Sequence, residues 1–250
     1  MKRSTLIIII SLVVAFIGIG IFVSMRNSEE KEKQNAAIEE YDLYSIIEGD
    51  ENNGGIGDHI KGTVEGVEPE VYIYEYADYQ CPGCATTNPW INEVLESFNG
   101  KAAIVYRSFL LSYHQNGRAA ASAAEAAGLQ GYWKEYANLL FANQSEWEYL
   151  SGAGRKEKFV EYFKTVSGGA GDETQFVKDM SSSEVSAKVS FDCALGKRIA
   201  VSATPAFYMD GEEIKWVDDE SAATKSGFIS YFKKLIEKKL GEKTETARAE

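Results

Sequence analysis

The stretch Val71-Tyr72-Ile73-Tyr74-Glu75-Tyr76-Ala77-Asp78-Tyr79-Gln80-Cys81-Pro82-Gly83-Cys84 carries the reading of this chain. Its first half is a dense run of Val, Tyr and Ile, which suits a central strand buried on both faces. A helix is predicted to start around Cys81, where Pro82 takes an early position that can forgo its missing N–H. The helix runs through Trp90, Ile91, Val94, Leu95 and Phe98 to Gly100, with Pro89 expected to kink it. Ala102 to Phe109 reads as a second strand, so the unit is strand, helix, strand, with parallel strands and a right-handed crossover.

Cys81 and Cys84 therefore sit at a strand-to-helix junction. Free N–H groups and the macrodipole at a helix amino end stabilise an anion, which favours the Cys81 thiolate, while Cys84 lies one turn on and is more shielded. Pro82 and Gly83 allow the tight turn that brings both sulfurs within bonding distance. The rival reading is half of a tetrahedral zinc site. Only Cys193, His59 and His114 remain as further ligands, all far apart in sequence, so no metal is expected. Cys193 shares a helical face with Val185 and Val189 and reads as a small core hydrophobe. Tyr76, Tyr79 and Trp90 read as core and rim aromatics.

Downstream, helical patterns occupy Gly117 to Gln130, Tyr132 to Asn143, Arg155 to Val166, Glu173 to Met180 and Glu184 to Gly196, with Asn116 as a candidate cap for the first. Strand character returns at Ala206 to Met209, turns at Asp210-Gly211 and continues over Ile214 to Val217. A last helix covers Thr224 to Leu240. Upstream, Leu6 to Val23 is an almost unbroken apolar run of about 27 Å as a helix, roughly one bilayer core. It exceeds a usual signal-peptide core and no small-x-small site follows it, so an uncleaved anchor is expected. Lys2 and Arg3 before the run and Glu29, Glu30 and Glu32 beyond it leave the amino end in the cytoplasm.

The expected organisation is a cytoplasmic end (1–5), a transmembrane anchor (6–25), a tether (26–57) with one weakly amphipathic stretch at Ile38 to Ile47, a domain at 58–240 with a helical insertion at about 113–182, and a charged, frayed tail (241–250). The fold class is α/β, a mixed central sheet flanked by helices. The 250 residues, 44% hydrophobic, suffice for one substantial core. A formal net charge of -12 leaves no basic surface for nucleic acid, which is not expected as a partner. Two cysteines in Cys-x-x-Cys spacing within a chain expected to be exported point to redox chemistry.

Asp58-His59-Ile60-Lys61-Gly62, the strand at Val71 to Tyr76, Ala77-Asp78-Tyr79-Gln80, the Cys-Pro-Gly-Cys and the distant Thr204-Pro205 together resemble the DsbA-like branch of the thioredoxin superfamily over roughly His59 to Leu240. The resemblance implies a thioredoxin-like fold with an inserted helical subdomain. It implies a cis Pro205 facing the attacked sulfur, with the Thr204 backbone pairing with an extended substrate chain. Glu75, six residues before Cys81, occupies a place where relatives often carry a buried acid that exchanges a proton with Cys84 through water. Strand alternation sets Glu75 with Val71 and Ile73, in favour of burial. His114 resembles a position that shapes the start of the following helix.

The implied activity is an extracytoplasmic disulfide donor to exported cysteine-containing proteins, with no cofactor beyond the Cys81–Cys84 disulfide and a quinone-linked membrane thiol oxidase as its partner. Gly83 replaces the histidine of the strongest oxidants, so intermediate strength is expected. A reductase running the same chemistry backwards, and a non-catalytic peptide-binding module, are the alternatives.

Overall fold

A computed structural model describes residues 38–249. The chain divides into two units, 1–41 and 42–250. Of the first, only residues 38–41 are described, and the expected anchor at 6–25 lies outside the described residues. Among these, no helix is long and apolar enough to cross a membrane.

The second unit is built on a five-stranded sheet in the order β1-β3-β2-β4-β5. Its strands are β1 (His59–Lys61), β2 (Val71–Ala77), β3 (Ala102–Ser108), β4 (Ala206–Met209) and β5 (Glu212–Glu213). β2 and β3 are parallel, joined by helix α1 (Pro82–Glu96), and every other pairing is antiparallel. Between β3 and β4 the chain forms α2 (Gly117–Gly128), α3 (Trp133–Ala142), α4 (Gln144–Trp147), α5 (Gly152–Val166), α6 (Glu173–Asp179) and α7 (Ser183–Arg198). Helix α8 (Lys225–Ala249) closes the chain.

Two apolar cores form. Val71, Ile73 and Phe207 of the sheet pack with Ile91, Val94 and Leu95 of α1 and with Phe228, Phe232 and Ile236 of α8. The second fills the helical insertion, where the alanines of α2 let neighbouring helices approach closely, and it extends to Tyr79, Cys81, Cys84 and Tyr106. Cys81 and Cys84 thus stand where the insertion meets the sheet.

Several elements differ from their sequence reading. Residues 42–57 are not a free tether: the Arg107 guanidinium donates to the Leu43 and Ser45 carbonyls at 2.6 and 2.9 Å, and the Tyr74 hydroxyl donates to the Tyr44 carbonyl. The weakly amphipathic stretch through Ile47 is not helical over 42–47, where the Leu43, Tyr44 and Ser45 carbonyls serve these contacts instead. Gly54, with φ 70°, lies so close to α7 that a Cβ there would come within 2.2 Å of the Glu184 carbonyl oxygen.

β4 turns into β5 through Asp210 and Gly211, both with positive φ, as a tight hairpin requires. β5 is short, because after Ile214 the chain leaves the sheet in a 3-10 turn (Trp216–Asp218) that lays Trp216 against Phe228, ring centroids 5.2 Å apart. Asn116 does not cap α2. Its amide nitrogen lies within hydrogen-bond distance of the Trp147, Glu148 and Leu150 carbonyls, tying the start of α2 to the chain after α4. The charged tail continues α8, with the Thr244 and Thr246 hydroxyls bonded to carbonyls one turn back.

Candidate active site

Cys81 is the N-cap of α1, in extended conformation, with Pro82 in the first turn. Its N–H donates to the Asp78 carbonyl and its own carbonyl accepts from Ala85 N–H, so the turn and the helix are continuous through the cysteine. Cys81 is 7% exposed and Cys84 fully buried, and both are free thiols. β4 lies beside β2 in the sheet, with Ala206 opposite Tyr76, and this pairing brings the segment before β4 against the helix mouth. The Thr204–Pro205 peptide is cis, and the Cys81 Sγ lies 3.2 Å from the Thr204 carbonyl oxygen.

The two sulfurs are strongly unlike. The Cys81 pKa is lowered to about 5, chiefly because the Cys84 thiol donates a hydrogen bond to it, with the N–H groups of Cys84 and Gly83 adding to the effect against the opposing pull of burial. Burial pushes the Cys84 thiol well above the ordinary value, and the neighbouring Cys81 and Glu75 charges push the same way. One sulfur is thus stabilised as an anion at the surface end of the pair, and the other holds its proton inside.

Glu75 is fully buried and its carboxylate lies 3.2 Å from Lys61 Nζ, yet neither oxygen has a hydrogen bond. Lys61 also donates to Asn88 Oδ1 on α1, at 3.1 Å. Sequence reasoning used Lys61 only within the family resemblance, because its partner is the acid two strands away in the sheet. Asp78 too entered only through that resemblance, although an Asp whose carboxylate can take the N–H two residues on is a recognisable local turn signal.

His114 reaches the Asp78 carboxylate at 2.9 Å from Nδ1. Tyr76 and Tyr79 are core residues, with Tyr79 packed on Tyr106 and Phe141. Trp90 packs on Phe228 of α8. Cys193 is buried in α7 with Sγ 3.6 Å from the Ser108 carbonyl, and burial raises its pKa. Among the described residues, no three His, Cys, Asp or Glu side chains cluster as metal ligands.

A family model described as thioredoxin matches residues 66–229. The oxidised BdbD from Bacillus subtilis superposes with a TM-score of 0.59 at 18% identity, covering 79% of this chain and 99% of that one. MdbA, a thiol-disulfide oxidoreductase from Corynebacterium diphtheriae, gives 0.52 at 19% identity, covering 70% and 91%. At these identities the likeness is one of fold. The Na(+)/H(+) antiporter NhaA 1 of Salinispora arenicola is 29% identical over 157 residues, 62% of this chain and 22% of the antiporter. The chain spans about a quarter of the length of such curated relatives.

Proposed function

The chain belongs to the thioredoxin family, and from that premise we propose that it is a thiol-disulfide oxidoreductase in which Cys81 exchanges disulfides with protein thiols and Cys84 closes the cycle. The observation that carries this reading is the inequality of the sulfurs: a Cys81 pKa lowered to about 5 beside a Cys84 thiol raised well above 9. The antiporter likeness reaches only a quarter of that protein, so ion transport is not carried over.

In the donor direction a substrate thiolate attacks Cys81 Sγ. The substrate–Cys81 bond forms, the Cys81–Cys84 bond breaks, and Cys84 leaves with the electron pair and takes up a proton. A second substrate thiolate then attacks the substrate sulfur and expels Cys81 as a thiolate. Two substrate thiols have become a disulfide, and their two electrons rest on the cysteine pair. A low Cys81 pKa makes this sulfur a good leaving group and stabilises the reduced protein, which renders the disulfide oxidising. Gly83 supplies no side chain to favour the thiolate further, in keeping with intermediate strength. The partly exposed Thr204–Pro205 turn beside Cys81 supports binding of an extended substrate by strand addition.

The same reading places the domain outside the cytoplasm on its amino-terminal anchor, acting on exported cysteine-containing proteins and reoxidised by a quinone-linked membrane thiol oxidase. A Cys84→Ser variant is expected to accumulate mixed disulfides through Cys81, visible on non-reducing gels and lost in the Cys81→Ser, Cys84→Ser double variant. A protein that traps no thiol partner would be a binding module instead. Donor direction requires a reduction potential clearly above that of thioredoxin, roughly -270 mV.

A further inference from the structure

Asp78 is fully buried and meets both halves of the redox pair through its backbone. Its carbonyl accepts from the Cys81 N–H at 3.0 Å, and its own N–H donates to the Cys84 sulfur. The side chain is fastened on the opposite side. Oδ1 accepts from Gln80 N–H, and Oδ2 accepts from Leu111 N–H and lies at hydrogen-bond distance from His114 Nδ1, each at 2.9 Å. The start of α2 presses on the same carboxylate, since a Cβ on Gly117 would stand 2.8 Å from Asp78 Oδ1.

We propose that Asp78 is a positioning residue for disulfide exchange: its carboxylate, braced by the loop between β3 and α2, holds its own N–H on the Cys84 sulfur and its carbonyl on the Cys81 N–H, so that Cys84 is a better leaving group. The inference rests on the oxidoreductase reading and adds to it the residue that steadies the departing sulfur. Buried sulfur anions are costly, and a fixed backbone N–H is one of the few groups that offsets the cost where water is excluded. When the Cys81–Cys84 bond breaks, the electron pair lands on the Cys84 sulfur that the Asp78 N–H faces. A carboxylate is required for this, because it accepts on both oxygens. In an amide of the same shape, whichever way it is turned, either Gln80 N–H or Leu111 N–H faces another N–H and the turn must shift.

Two variants test this. Asp78→Asn alters the acceptor directly, and Gly117→Ala crowds the carboxylate from α2 without touching the loop of the cysteines. In both, the rate at which reduced glutathione opens the Cys81–Cys84 disulfide is expected to fall about tenfold, because Cys84 leaves without its N–H partner. Loss of melting temperature in both variants, with the opening rate unchanged, would make Asp78 a brace of the fold only and overturn the proposal. If Asp78→Asn does not fold, Gly117→Ala alone decides. The wild-type protein is the control for the reading beneath: no exchange with glutathione there would sink the oxidoreductase assignment, whereas exchange that neither variant alters sinks only the role of Asp78.

Discussion

At Cys81 the reactive form is present across the whole neutral range, because a thiol with a pKa of about 5 is already mostly thiolate a unit or two higher. Alkylation of Cys81 is therefore expected to be nearly independent of pH above about 7 and to fall away near 5, measured with iodoacetamide on the reduced protein. A profile rising through pH 8 to 9 would mean an ordinary thiol. The same lowering acts on stability. A folded pKa below the ordinary thiol value of 9.0 gives stabilisation that is complete above that value and lost as pH falls through about 5. The oxidised protein has no such thiol. The reduced form should accordingly lose melting temperature relative to the oxidised form between pH 9 and 5, as calorimetry of the two forms would show.

At the scale of elements, the segment 42–58 and strand β3 are fastened by buried charge. The Arg107 guanidinium meets the Asp58 carboxylate at 2.7 Å, both side chains fully buried. Burial opposes ionisation of Asp58, but Lys188 and Arg107 prevail and hold its carboxyl below the usual range. Removing one member of such a pair leaves an uncompensated charge, so Arg107→Met is expected to cost about 3–5 kcal/mol in urea unfolding. A cost within experimental error would mean that the clamp carries no stability.

Legibility divides at this scale. The strand-helix-strand unit around Cys81 was readable because apolar runs, Pro82 and the cysteine spacing are local signals. The clamp was not. Arg107 in a strand reads as an outward-facing charge, and its partner Asp58 is 49 positions away. Asn116 misled for the same reason: its position suits a cap, but carbonyls about thirty positions downstream claim its amide. The burial of Glu75 was legible through strand alternation, whereas its pairing with Lys61 depends on how β1 and β2 flank β3.

For the molecule as a whole, the unit from Asp42 onward, rather than from Asp58, is the natural folding piece. A fragment 42–250 is expected to unfold in one cooperative transition, and a fragment 58–250 to melt lower, having lost the carbonyl partners of Arg107. Equal melting of the two would show that residues 42–57 are only laid on the surface. The sheet itself draws its parallel strands from before residue 109 and its antiparallel β4 from after residue 205, with six helices between.

That arrangement has a consequence for biosynthesis. The contact that covers Cys81 joins positions 123 residues apart. At a translation rate of roughly 5–20 residues per second, the two sulfurs leave the ribosome roughly 6 to 25 s before Thr204 exists to meet them. Cys193 emerges within that interval, so a growing chain presents all three of its thiols, uncovered, to whatever oxidant is at hand. The pair proposed to exchange disulfides with other proteins thus passes its own synthesis open to the same chemistry.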